Sequence, residues 1–268
     1  GDLIKANVIS SAIIGGVKAL GSAMASLAKG VFELGKQAIE SFAEYEQLVG
    51  GVDTLFKESS GKVQEYANNA FKTAGLTANE YMNTVTSFSA SLISSLGGDV
   101  TKSAEVANMA ITDMADNANK MGTDIQSIQN AYQGFAKGQF NMLDNLKLGY
   151  GGNKTEMERL LADATALSGI EYDISSFADI SEAIHVIQIQ IGITGTTAKE
   201  ASETIQGSVS AMKSAWGNLL TGLADKNANL NLLINNLVES VSTVGDNILP
   251  LIPTVIESIG RMAAQLVS

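Results

Sequence analysis

Proline occurs only at Pro250 and Pro253, so residues 1–249 contain none of the residue that forces a helix to break. Glycine sets the stops instead. Gly75, Gly97, Gly122, Gly138, Gly149, Gly169 and Gly192 each follow a run of helically spaced apolar residues. Glycine takes the left-handed cap conformation there at little cost. Starts are marked as well. Thr77-Ala78-Asn79-Glu80, Thr155-Glu156-Met157-Glu158 and Thr197-Ala198-Lys199-Glu200 all match the capping box, in which threonine and glutamate each satisfy an orphan amide. The expected fold is all-α, a series of short capped helices forming a bundle, flanked by longer amphipathic helices that bear heptads.

The flanks carry the heptads. Ile13, Val17, Leu20, Met24, Leu27, Val31 and Leu34 alternate spacings of four and three, beside a stripe of small residues that includes Gly16, Ala19 and Ala23. A second seam runs through Ile205, Val209, Met212, Trp216, Leu219 and Leu223, and the apolar pattern broadens from Leu230 to Ile248. These spacings divide the chain into an amphipathic Gly/Ala-rich helix at 1–41, a helical core region at 42–204, and heptad-bearing helices at 205–268 with a break at Pro250 and Pro253. Both seams are expected to pack helix on helix, and a homo-oligomer is one way to cover them. Neither end holds an uninterrupted apolar run long enough for an obvious membrane span.

Between the caps, Tyr81, Val85, Phe88, Leu92 and Leu96 form one face, and Val106, Met109, Ala110 and Met114 another. Aromatic residues make up only 6 % of the chain and glycines number 26, which predicts thin, partly solvated faces and a shallow core.

Few residues are equipped for chemistry. Cysteine is absent, which excludes disulfides, thiolate-zinc sites and thiol nucleophiles. His185 is the sole histidine and sits in the apolar run AIHVIQIQI, where a packed or partly exposed helix residue is the expected role. Asp113 with Asp116, and Glu156 with Glu158, are read as solvated helix faces rather than paired catalytic carboxylates. The stretch Gly149–Thr155 departs from a phosphate loop, because Asn153 separates Gly152 from Lys154 and no strand precedes it. No enzyme activity, cofactor or metal site is expected. The formal net charge is −11, while residues 1–40 set Lys5, Lys18, Lys29 and Lys36 against Asp2, Glu33 and Glu40. An acidic body of this kind opposes specific nucleic-acid binding. The lysine-dotted first segment and the apolar end motivate a second class of function, a membrane-active helical pore-former or translocator.

One resemblance is carried by long contiguous runs: SLISSLGGD at 91–99, AITDMADNANKMGTD at 110–124, IQNAYQGFAKGQFNMLDNLKLGYGG at 128–152 and KTEMERLLADA at 154–164. EYEQLVGGVDTLFK at 44–57 and GITGTTAKEASETIQGSVSAMKSAWGNLLTGLAD at 192–225 extend it. The region from about 42 to 225 resembles tail tape-measure proteins of long-tailed bacteriophages and prophages. The resemblance implies a virion structural protein that sets tail length during assembly, in the host cytoplasm, and leaves the tail lumen during DNA ejection. It also implies tail-tube and tail-tip proteins, assembly chaperones and, at ejection, the host membrane as partners.

Overall fold

The computed structural model describes residues 32–254 and 257, and among these every regular element is helical. Helix α1 spans 32–56 and passes through a short 3-10 turn into α2 (Ser60–Thr73). There follow α3 (Ala78–Ser95), α4 (Val100–Met121) and α5 (Ile125–Phe135). Next come α6 (Lys154–Ser168), α7 (Phe177–Gln190) and α8 (Thr196–Glu203). The last are α9 (Ile205–Ala224) and α10 (Leu230–Ile248), after which Pro250 lies in a 3-10 turn. The all-α expectation holds, and the chain interrupts its last helix at the proline as the missing amide requires.

Helix α4 is the axis of the bundle, touching α2, α3, α5, α7 and α8. Its buried stripe includes Ala104, Ala107, Ala110, Ile111 and Met114, and the alanines let several neighbours approach. The expected face of α3 packs inward, with Tyr81, Met82, Val85, Phe88 and Leu92 buried. Phe88 meets Phe177 of α7 edge-on at 5.7 Å between ring centres, a favoured aromatic geometry. The shallow core predicted from composition is not what forms. Phe56, Phe71, Tyr81, Tyr132 and Phe135 are all fully buried, because the few aromatic residues concentrate at the centre instead of being spread over thin faces.

All seven glycines named as stops have positive φ. Of the three capping boxes, only the first forms as written. The Thr77 side chain accepts from the Glu80 amide and Glu80 accepts from the Thr77 amide. In α6 the cap is Asn153, whose Oδ1 accepts from the Glu156 amide at 3.0 Å, so the helix starts before Thr155. Two competent caps stand two residues apart, and the earlier one wins because it adds helix. Thr197 is not a cap either, since α8 begins at Thr196 behind Gly195. Thr77→Ala is therefore expected to cost about 1 kcal/mol, while Thr155→Ala leaves the denaturant midpoint unchanged. Equal losses in both variants would contradict this assignment.

Candidate association surface

Helices α9 and α10 form an antiparallel hairpin. Its far end is fixed by the Asn247 side-chain amide, which donates to the Ser202 and Thr204 carbonyls at 3.3 and 3.2 Å. Near the loop, the Gly222 backbone lies against Leu233, where a Cβ would overlap the leucine side chain. The inward face of α9 consists of Ser208, Ala211, Ser214, Ala215, Asn218, Leu219, Thr221 and Gly222. Ser214 donates to the Gly75 carbonyl at 2.9 Å, the Asn218 Oδ1 accepts from the Ala78 amide at 2.8 Å, and Thr221 pairs with Ser41 of α1. A Cβ on Gly217 would stand 2.7 Å from the Thr77 methyl, so the helices touch where side chains are absent.

Within the chain, most of the α9 heptad seam does not face inward. Of the second seam only Leu219 is buried; Val209 and Met212 are half-buried, and Ile205, Trp216 and Leu223 are exposed. Small polar residues go inside because α2, α3 and α8 come too close for bulky ones. Leu34, the one described residue of the first seam, is exposed. Ile13, Val17, Leu20, Met24, Leu27 and Val31 lie outside the described residues. Helix α10 buries only Ser240 and presents Leu230, Leu232, Ile234, Val238 and Val241 outward. Most exposed large apolar residues thus lie on α1, α9, α10 and the turn after it, and only Leu167, Ile170, Ile189 and Ile191 lie elsewhere among the described residues. Contiguous exposed apolar area marks a contact surface more often than a solvated one.

The helix that leads into the hairpin, α8, is tied to the core by a carboxylate. Asp116, on α4, has 0 % exposure. Its two oxygens accept from the Gly195 amide at 2.6 Å and the Thr197 amide at 2.7 Å, and Asn119 donates to the Thr197 hydroxyl at 2.9 Å. A side chain from another helix thereby caps α8, whose own N-cap glycine offers none. Asp113 and Asp116 are not the solvated pair expected from sequence: burial leaves Asp113 1 % exposed. Both lie on the side of α4 covered by α7 and α8, where specific partners compensate them.

Asp113 is compensated by His185 of α7, whose Nδ1 lies 2.9 Å from each carboxylate oxygen. The bond to Asp113 raises the His185 pKa above 6.5 against the opposing effect of burial, and the charges of Asp113, Asp116 and Glu182 add to it. Burial raises the Asp113 carboxyl too, outweighing the histidine. Both shifts have one sign in stability. A histidine raised in the folded state contributes fully below its unfolded pKa and loses that contribution as pH climbs through the folded value. The parent is expected to lose stability as pH rises from about 6.5, and His185→Gln is expected to lack that slope. Parallel unfolding free energies of the two proteins across this range would refute it.

The 149–152 loop is filled by the protein itself. Glu156 accepts from the Gly151 amide at 3.0 Å and pairs with Arg159 at 2.6 Å, so a carboxylate occupies the side a phosphate would need. Among the described residues no group of His, Asp and Glu is arranged to hold a metal, and no helix is long and apolar enough to cross a membrane. The molecule belongs to the class of all-α bundle proteins with an apolar hairpin left on the surface. Compared with known protein families, curated proteins and solved structures, the chain matches none.

Proposed function

We propose that this chain is a structural segment of a phage tail tape-measure protein, which associates with copies of itself through the α9–α10 face. The contiguous runs between about 42 and 225 support the first part, and the unpartnered stripe from Ile205 through Val241 carries the second. In this reading the chain sets tail length during assembly and leaves the lumen at ejection. Length follows from helical rise, about 1.5 Å per residue in an extended helix. Duplicating residues 205–268 in frame, in the phage or prophage that encodes the chain, should lengthen the tail by up to about 100 Å. Tails of unchanged length in electron micrographs would remove the length-setting role.

Association is tested separately. Leu223→Asp combined with Val238→Asp places charge on exposed positions that no internal contact needs. Sedimentation should show an oligomeric parent and a monomeric variant with an unchanged helical spectrum. A parent that stays monomeric at high concentration would overturn self-association. Liposome flotation of that monomer, abolished by the same substitutions, would favour the membrane-active reading in its place.

A further inference from the structure

A cavity of about 370 Å³ opens between α1, α2, α9, α10 and the loop joining the last two helices. Its walls are unusual in chemistry. They are rich in asparagine, contributed by α2, α9, the 225–229 loop and α10, and they contain neither lysine nor arginine. Several of those amides have no structural duty. The side chains of Asn68, Asn227 and Asn236 make no hydrogen bond with another described residue. Asn218, 8 % exposed, spends Oδ1 on the Ala78 amide and keeps its Nδ2 for the cavity it lines. Glu65 and Asp225 stand on the rim, while Tyr45, Leu232 and Leu233 supply apolar surface. The Tyr45 hydroxyl is held above its usual pKa by burial and by the neighbouring charges of Asp225 and Asp53, so it stays a neutral donor.

These features select a ligand. Two carboxylates without a cation repel phosphates, nucleotides and carboxylic acids. Each free amide presents a donor and an acceptor side by side, a pattern that matches neighbouring hydroxyl groups, each of which is itself donor and acceptor. A tyrosine ring and leucine methyls suit the C–H faces between those hydroxyls. The size lies within the range of small-ligand clefts. We propose that this cavity binds a neutral saccharide, one or two sugar units in length, with Asn68, Asn218, Asn227 and Asn236 reading its hydroxyls and Tyr45 lying against its ring. The site shares Leu232 with the apolar stripe, but its asparagines lie outside that stripe and it does not depend on the association reading.

The test is nuclear magnetic resonance of the full chain titrated with glucose, N-acetylglucosamine, maltose and cellobiose. The expected result is movement of the side-chain amide resonances of Asn68, Asn227 and Asn236 with at least one of these sugars. Asn68→Ala combined with Asn236→Ala should weaken that sugar about tenfold, with melting temperature and helical spectrum unchanged, since neither side chain holds the fold. Absence of shifts with all four sugars would overturn the proposal, as would undiminished binding by the variant. Shifts of the same resonances with calcium chloride alone, and with no sugar, would reassign the cavity to a cation and overturn it as well.

Discussion

Asp116→Ala is expected to destabilise the protein by about 3 kcal/mol, more than the loss of any cap on the surface. The substitution leaves the buried Thr197 amide and the part-buried Gly195 amide with no acceptor on α4. An orphaned buried donor costs about 1–3 kcal/mol, and here a part-buried one is orphaned beside it. Asp116→Asn separates charge from geometry. Its carbonyl oxygen can accept one of the two amides while its NH₂ faces the other, so an intermediate loss is expected. Because α8 leads directly into α9, the damage should spread along the chain. Hydrogen exchange at Gly195 and Thr197 should rise first, followed by exchange along α9. A denaturant midpoint matching the parent would mean that α8 is held by packing alone, and that the carboxylate is incidental.

The way Asp116 acts explains which parts of this molecule can be read from sequence. Features set by adjacent residues were legible. Each of the seven glycine stops is a local conformational demand, and the Thr77–Glu80 box closes within one turn. The start of α9 was legible too, because the apolar periodicity begins at Ile205, where the helix itself begins. What failed was set at a distance. Thr197 carried the letters of a cap, but its amide is taken by a carboxylate 81 residues away. Nothing near position 197 announces that partner. Asp113 and Asp116 likewise look like surface acids on a polar helix until α7 and α8 close over them.

The α9 seam shows a limit of another kind. Heptad spacing marked a stripe for packing helix on helix, and within the chain most of that stripe faces outward. Ser208, Ala211, Ala215 and Gly222 face the interior because the distance to the neighbouring helices is short and hydrogen bonds replace buried area. The larger residues are left outside. Position in the heptad thus marked a stripe that the described residues leave mostly uncovered. The asparagine cavity had no sequence signal, since its amides come from helices far apart in the chain and only the fold gathers them.

The same short distances yield the second large effect. Gly207→Ala is expected to destabilise the protein by about 2 kcal/mol, against the sign that helix propensity alone would give. Gly207 lies in the first turn of α9, where exchanging glycine for alanine should favour the helix by about 1 kcal/mol. Its Cα, however, faces the end of α8. A Cβ there would stand 2.8 Å from the Ala201 nitrogen and closer still to the Glu200 carbonyl group. These are backbone atoms, so no rotamer can relieve the contact, and the α8–α9 corner must open. That corner is a single residue, Thr204, which ends one helix and caps the next by accepting from the Gly207 amide at 3.0 Å while donating to the Glu200 carbonyl at 3.0 Å. Opening it strains both bonds. Gly222→Ala supplies the contrast, because its Cβ would meet the flexible end of Leu233 and should be accommodated at smaller cost. Thermal unfolding of the two variants decides between packing and propensity: a Gly207→Ala protein as stable as the parent would mean that α8 and α9 are free to separate, and that the hairpin is not fixed at this corner.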